Sequence, residues 1–410
     1  MTVSGVRGTA SPAKRVLAPD LARGGMLLLI AIANTPWYLW GRKLRVSTIH
    51  PPGGSVFDRS VQVASMIVVD FRVYPMFAFL FGYGVVQFLT RQEAAGQARP
   101  GVLAQLRRRN LWLLAFGFVH AALLWQGDIL GAYGLAGLLL ARLFLHRDDR
   151  TLLTWSAIGS ALLTLVTLIS VVGAYLAAVA PVPPEMAGYL SLGIAGSEQS
   201  DPLAAALARL TFWPVVSLGQ GLIALALPVA IVLGFWAARR QILEGPGEHL
   251  PLLRRVAIIG IAIGWLGGLP HAAAVMGWLT IPPESMFVFE VTQMATGLPA
   301  GLGYAAFFGL LGHRLSGRRP GPIISAVTAV GKRSLSAYLA QSVLCAPVLA
   351  AWGLGLGAHL HSASTAGYAI GVWLFTVAGA RLLERGHLRG PAEIALRRLS
   401  RRPHPRTEDR

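Results

Sequence analysis

Ten mostly apolar stretches divide the chain, most of them near the ~20 residues that a helix needs to cross a hydrocarbon core of roughly 30 Å. They run from Asp20 to Trp40, Met66 to Leu89, Leu111 to Trp125, Ile129 to Leu145, Leu152 to Ala180, Thr211 to Ala237, Val256 to Leu279, Val291 to His313, Ser334 to Trp352 and Thr365 to Leu383. The third is short and is expected to extend beyond these bounds. The pattern predicts an all-α fold: a polytopic transmembrane helical bundle of about ten spans.

Basic residues fix its expected orientation, because cytoplasmic loops keep Lys and Arg. With the N-terminus inside, the inner segments hold 30 of the 36 Lys and Arg residues. Arg42, Lys43, Arg45 and Arg59 fall in the first outer loop, Arg72 in the outer part of the second span and Arg209 before the sixth. The outer loops Pro181 to Asp201, Pro282 to Glu290 and Gly353 to Ser364 have none. Both termini are therefore expected in the cytoplasm.

Composition agrees: 54% of the 410 residues are hydrophobic and 13% charged, too few polar side chains to cover a water-soluble globule of this size. The formal net charge of +18 does not imply a nucleic-acid partner, since the basic residues sit between apolar runs and not on one aromatic-studded face. The single cysteine, Cys345, excludes an internal disulfide. Ala31-Ile32-Ala33 superficially fits a signal-peptidase site, but Asp20 and Arg23 at the head of the first run suit a retained helix.

The long connections Gly41 to Ser65 and Pro181 to Leu210 are rich in Pro, Gly and Ser, and read as loops with short interfacial helices. Residues 1–384 read as one transmembrane domain. Residues 385–410 alternate Arg with Leu, Ile and Ala, the pattern of a basic amphipathic helix held on the inner leaflet by anionic lipid.

Polar groups inside spans are costly and mark candidate sites. Asp20 and Arg23, three apart on one helix face, form either a structural ion pair or part of a site, with Asn34 about three turns further on. Asp70 and Arg72 precede Pro75, which interrupts the backbone ladder, and are placed to face an outer vestibule. His120, Trp125, Gln126, Asp128 and Tyr133 spread over a tight hairpin between the third and fourth spans. A carboxylate on one imidazole nitrogen raises the basicity of the other, so His120 and Asp128 read either as a general-base pair or as a satisfied buried histidine. Arg107, Arg108 and Arg109 either hold a phosphate or anchor the span by the positive-inside rule. No metal-ligand spacing, phosphate-binding Gly-rich loop or Gly-x-Ser-x-Gly motif occurs.

Several of these stretches recur together in one family. They are Asp20-x-x-Arg23-Gly24 with Asn34, Phe77-x-Phe79-Leu80-Phe81-Gly82-x-Gly84, and Arg107-Arg108-Arg109-Asn110-Leu111-x-x-Leu114-x-Phe116-Gly117-x-x-His120. Leu124-Trp125-x-Gly127-Asp128-Ile129-Leu130-x-x-Tyr133, Gly331-Lys332-Arg333-Ser334-Leu335-Ser336-x-Tyr338-Leu339-x-Gln341-Ser342 and Gly390-Pro391-x-Glu393 follow in order. In these motifs, spread over nearly its whole length, the chain resembles the YeiB-like family of bacterial inner-membrane proteins. That family is similar to the transmembrane acyltransferase superfamily, including its heparan glucosaminide acetyltransferase-like and acyltransferase-3-like branches. Asn34 stands where the bacterial sugar O-acyltransferase branch has a catalytic histidine. In the heparan branch the active histidine lies beyond the first span, which points to His50 by loose position.

The resemblance implies an acyltransferase that moves an acyl group from acyl-coenzyme A, without a metal, to a hydroxyl or amine of a glycan, lipid or small-molecule acceptor. On that reading Arg107, Arg108 and Arg109 bind the donor, and His120 oriented by Asp128 is the preferred base, with His50 the second candidate. Asp20 and Arg23 shape the inner mouth, Asn34, Tyr338 and Gln341 place the thioester, and Trp125 and Tyr133 complete the site. The alternative is a transporter of a small molecule, against which stands the absence of a convincing internal repeat.

Overall fold

A computed structural model describes residues 17–42, 48–179 and 196–401. The expected basic residues Arg7, Lys14, Arg15, Lys43 and Arg45, most of the loop from Pro181, and the tail from Arg402 lie outside the described residues. Among the described residues fourteen α-helices follow in order: α1 Leu17–Asn34, α2 Val56–Val68, α3 Val73–Ala94, α4 Arg99–Leu123, α5 Ile129–Phe144, α6 Asp149–Val179, α7 Pro202–Leu218, α8 Ala226–Arg239, α9 Leu250–Val275, α10 Phe287–Leu315, α11 Pro322–Gly331, α12 Ser334–Leu349, α13 Ser362–Arg385 and α14 Pro391–Ser400. No strand is present among the described residues.

Among the described residues, seven stretches are long and apolar enough to cross a membrane: residues 17–38, 56–94, 149–179, 202–223, 246–275, 287–315 and 362–385. Helices α5, α8, α11 and α12 are apolar but shorter. Around the outside, α6 exposes Leu165, Leu168, Ile169, Val172 and Leu176, a continuous apolar surface that favours lipid over water.

Helix starts follow the local sequence. Ser55 and Asp58 close a capping box on α2, Asp128 caps α5 by accepting from Gly131 N at 2.7 Å, and Asp201 caps α7 just ahead of Pro202. α3 crosses α8 where a side chain on Gly82 would collide with the Ile231 carbonyl. The small residues expected to serve packing do so here.

Two expected spans are broken. The second is interrupted at residues 69–72, where Phe71 takes φ 61°, a left-handed conformation costly for a bulky residue. Pro75 does not cause this break: it sits in the first turn of α3, where its missing N–H has no helical partner to lose. The sixth divides into α7 and α8 through a π-helical turn at Gly219–Ile223, with Ala224 N donating to Gly219 O at 2.6 Å. Apolar patterning does not reveal either break. α4 resolves the short third run by extending back to Arg99.

The C-terminal helix α14 lies against α4 and α12. Leu396 and Ser400 are buried, and Arg108 Nε donates to Ser400 O at 3.2 Å. The Glu393 carboxylate accepts from Leu335 N at 2.9 Å, from Ser336 N at 3.2 Å and from Ser336 Oγ, and so caps α12 from another helix.

Candidate functional site

Two cavities lie back to back in the bundle. A basic cavity of about 330 Å³ gathers residues of α1, α3 from Phe77 to Phe88, α4 from Gln105 to Leu113, the starts of α5 and α12, and the face of α14. Asp20, Arg23, Arg109, Lys332, Glu393 and Arg397 line it. An aromatic cavity of about 550 Å³ lies toward the opposite end of α1, at Asn34 and Trp37. It is bordered by both helix breaks, through Asp70 and Phe71 on one side and Gly219 to Leu225 on the other. Ile30, Phe77, Ile129, Tyr133 and Tyr338 line both cavities and form the wall between them.

The wall is packed aromatically. The Tyr133 ring stacks with Phe77 at 5.1 Å and with Phe81 at 5.2 Å between centroids, and its hydroxyl donates to Tyr74 O at 3.2 Å. The Tyr338 hydroxyl accepts from Ile129 N at 3.4 Å.

In the basic cavity Arg23 pairs with Asp20 at 3.5 Å and donates to Leu80 O at 3.4 Å. Lys332 pairs with Glu384 at 2.7 Å. Arg109 lies 5.7 Å over the Phe81 ring and has no carboxylate partner among the described residues; its Nη1 is buried without a hydrogen bond. Of the expected arginine triplet only Arg109 reaches the cavity, whereas Arg107 is exposed and Arg108 is engaged by α14. The i to i+1 rotation of a helix separates the three side chains, so adjacency in sequence does not place them in one pocket.

Two histidine–carboxylate pairs are present among the described residues. His120 Nδ1 is 2.8 Å from Asp128 Oδ1, with both residues buried, so the expected pairing across the hairpin is present. Its Nε2 is buried without a partner, and its ring lies 5.3 Å from Tyr338 and 6.4 Å from Trp125. His120, Asp128 and His50 all lie behind the cavity linings. His50 Nε2 is 2.8 Å from Asp70 Oδ2, and Asp70 does line the aromatic cavity, beside Thr48, Ile49 and Asn34. Twenty residues separate His50 from Asp70, and the turn at Phe71 brings them together; no short-range motif announced this pair.

Polar groups from α9 and α10 hold that turn. Arg72, 0% exposed, donates to the Asp70 and Gly264 carbonyls and to Gln293 Oε1, and Gln293 in turn bonds His271 Nδ1. Arg72 lies beneath the cavity, while Asp70, His271, Glu290 and Gln293 line it. Sequence reading missed His271, Glu290 and Gln293, which carry only the general signal of polar residues within apolar runs.

Gln341 lines neither cavity: its Nε2 donates to Leu27 O at 3.0 Å and ties α12 to α1. Trp125 lines the aromatic cavity and its Nε1 lacks a hydrogen-bond partner.

Residues 237–403 match a family described as "protein of unknown function (DUF418)". The chain is 26% identical over 334 residues to the uncharacterized protein YxaH of Bacillus subtilis (strain 168), covering 78% of this chain and 76% of that protein. It is 27% identical over 357 residues to the uncharacterized protein YeiB of Escherichia coli (strain K12), covering 82% and 83%. These matches support a YeiB-like family. A third relative, an uncharacterized 39.9 kDa protein in the amylase 3' region of Bacillus acidopullulyticus, is 32% identical over 141 residues, covering 34% of this chain and 37% of that protein. The names of these YeiB-like relatives carry no activity, so the functional reading comes from the geometry of the two cavities.

Proposed function

We propose that the protein is a membrane acyltransferase of the bacterial cytoplasmic membrane, with ten crossings and both termini inside. The crossings are α1, α2 with α3, α4, α5, α6, α7 with α8, α9, α10, α12 and α13. The charged lining of the basic cavity supports this: Asp20 and Arg23 stand in the first half of α1, Arg109 in the first half of α4 and Lys332 just ahead of α12, the ends that face the cytoplasm when the N-terminus is inside. The basic cavity then faces the cytoplasm.

The observation that supports the proposal is the shared wall, with Arg109 and Arg397, cations that have no carboxylate partner among the described residues, on one side and the His50–Asp70 pair behind the other. Arg109 and Arg397 supply positive charge for the phosphates of acyl-coenzyme A, and the orphaned Nη1 of Arg109 is a donor suited to an anion. Ile30, Phe77, Ile129, Tyr133 and Tyr338 border the path for an acyl thioester between the cavities. On the far side His50, its Nε2–H donated to Asp70, has Nδ1 left to take the proton of an acceptor hydroxyl or amine. The new C–O or C–N bond forms as the C–S bond breaks, and the thiol leaves on the donor side. His50 is the base in this scheme. His120, oriented by Asp128, is a positioning residue that supports Tyr338 in the wall.

Two interrupted helices at the aromatic cavity favour a second reading, a transporter, since broken helices line substrate sites in that class. One experiment separates them: thiol release from acetyl- to long-chain acyl-coenzyme A by the purified protein in lipid nanodiscs, beside His50→Ala. Saturable, His50-dependent release supports acyl transfer. Absence of release with every donor moves the assignment to transport.

A further inference from the structure

Charge divides sharply between the cavities. The basic cavity holds four cationic side chains and two carboxylates, whereas the aromatic cavity is lined by Asp70 and Glu290 and by no Lys or Arg. Asp70 shares its charge with His50, but Glu290 makes no ion pair or hydrogen bond among the described residues. The neighbouring cation cannot serve it: Arg72 is wholly buried and bonded to Asp70, Gly264 and Gln293. Gln293, one turn along α10, is held by Arg72 and His271.

Glu290 is half-buried, and the part of a carboxylate turned from water at the lining of an apolar cavity, without a partner, costs free energy. Its position in the first turn of α10 offsets part of the cost through the helix dipole. A bound cation would offset the rest. The walls fit such a ligand: Trp37, Phe71, Tyr74, Phe212 and Trp125 present aromatic surface to the same space, and aromatic faces attract ammonium groups. Independently, Trp125 is 6% exposed, lines the cavity, and has an Nε1–H with no acceptor, so the cavity also offers an unused donor to a ligand oxygen or nitrogen.

We infer that the aromatic cavity is a binding site for an organic ammonium cation with an apolar body, anchored on Glu290 and enclosed by aromatic side chains. As the acyl acceptor such a cation rests on the acyl-transfer reading; as a bound ligand it does not. The test compares phenethylamine with its uncharged counterpart 2-phenylethanol, binding to the full-length protein in nanodiscs with empty nanodiscs as the blank. Phenethylamine is expected to bind saturably and about tenfold or more tighter than the alcohol, a difference of about 1.4 kcal/mol. Glu290→Gln is expected to abolish that preference, and Glu290→Asp, which keeps the charge, to retain most of it. Equal binding of the two probes, or a preference that survives Glu290→Gln, overturns the inference. Thiol release is measured separately, so a protein that prefers the amine but releases no thiol keeps the cation site and loses the acyltransferase assignment.

Discussion

Tyr133 and Tyr338, on helices α5 and α12, face the same boundary, since each lines both the basic and the aromatic cavity. Tyr133 is held mainly by its ring, stacked on Phe77 and Phe81, and only secondarily by one hydrogen bond to the Tyr74 carbonyl. Tyr133→Phe should therefore cost about 1 kcal/mol, the net worth of one hydrogen bond. Tyr133→Ala should cost about 3 kcal/mol or more, as deletion of a buried ring does. Thermal melts of the two variants in the same detergent check the ratio; equal losses would show that the hydroxyl, not the stack, holds the wall.

The two histidine–carboxylate pairs should respond differently to truncation. His120→Ala leaves the fully buried Asp128 with the Gly131 N–H as its hydrogen-bond donor among the described residues, and an under-satisfied buried acceptor costs about 1–3 kcal/mol, more when charged. A lowered melting temperature is expected. His50→Ala removes the proposed base from behind Asp70, which lines the cavity, and is expected to abolish thiol release while leaving the melting temperature within a few degrees of the parent. Melting and turnover measured on both variants settle the assignment; full turnover in His50→Ala removes His50 from the chemistry.

Glu393 holds the C-terminal helix to the bundle by capping α12, with Leu335 N–H and Ser336 N–H both directed at its carboxylate. Capping interactions of this kind are worth about 1–2 kcal/mol. Glu393→Ala is thus expected to free α14, so that trypsin cuts at Arg397 or Arg398 several-fold faster than in the parent. Unchanged cleavage would mean that Leu396 and the Arg108 contact suffice to dock the helix.

The sequence made the helices and the His120–Asp128 contact legible because both are local: apolar runs set the helices, and eight residues of hairpin set the contact. It did not reveal the breaks at Phe71 and at Gly219–Ile223, because a left-handed residue and a π turn are imposed by packing of distant segments; a side chain on Gly297, for instance, would collide with the Phe71 carbonyl. The pairing of His50 with Asp70 depends on that turn. Adjacent arginines read either as one phosphate site or as a membrane anchor, and helical rotation sends Arg107, Arg108 and Arg109 to different surroundings. Glu290 carried no motif, and its meaning comes only from the cavity around it.

Glu244 lies in the turn between α8 and α9, outside the helical spans, and receives hydrogen bonds from the Tyr83 hydroxyl and from Gln87 Nε2. Leu243 N in turn donates to Tyr83 Oη at 3.1 Å. Burial pushes the Glu244 carboxyl up to about 7 from an ordinary value of 4.5, against a smaller opposing effect of its own backbone hydrogen bond and of Arg23. Between those two values the folded state keeps a proton that the unfolded state has released, so stability falls as pH rises through this window and levels off above it. Because the group is only half-buried, solvent screening reduces the effect to about 1 kcal/mol, or a melting temperature lower by a few degrees at about pH 8 than at about pH 5. Glu244→Gln cannot titrate, and its melting temperature is expected to lose this component of the pH dependence. A pH profile in Glu244→Gln as steep as that of the parent would place the titrating group elsewhere.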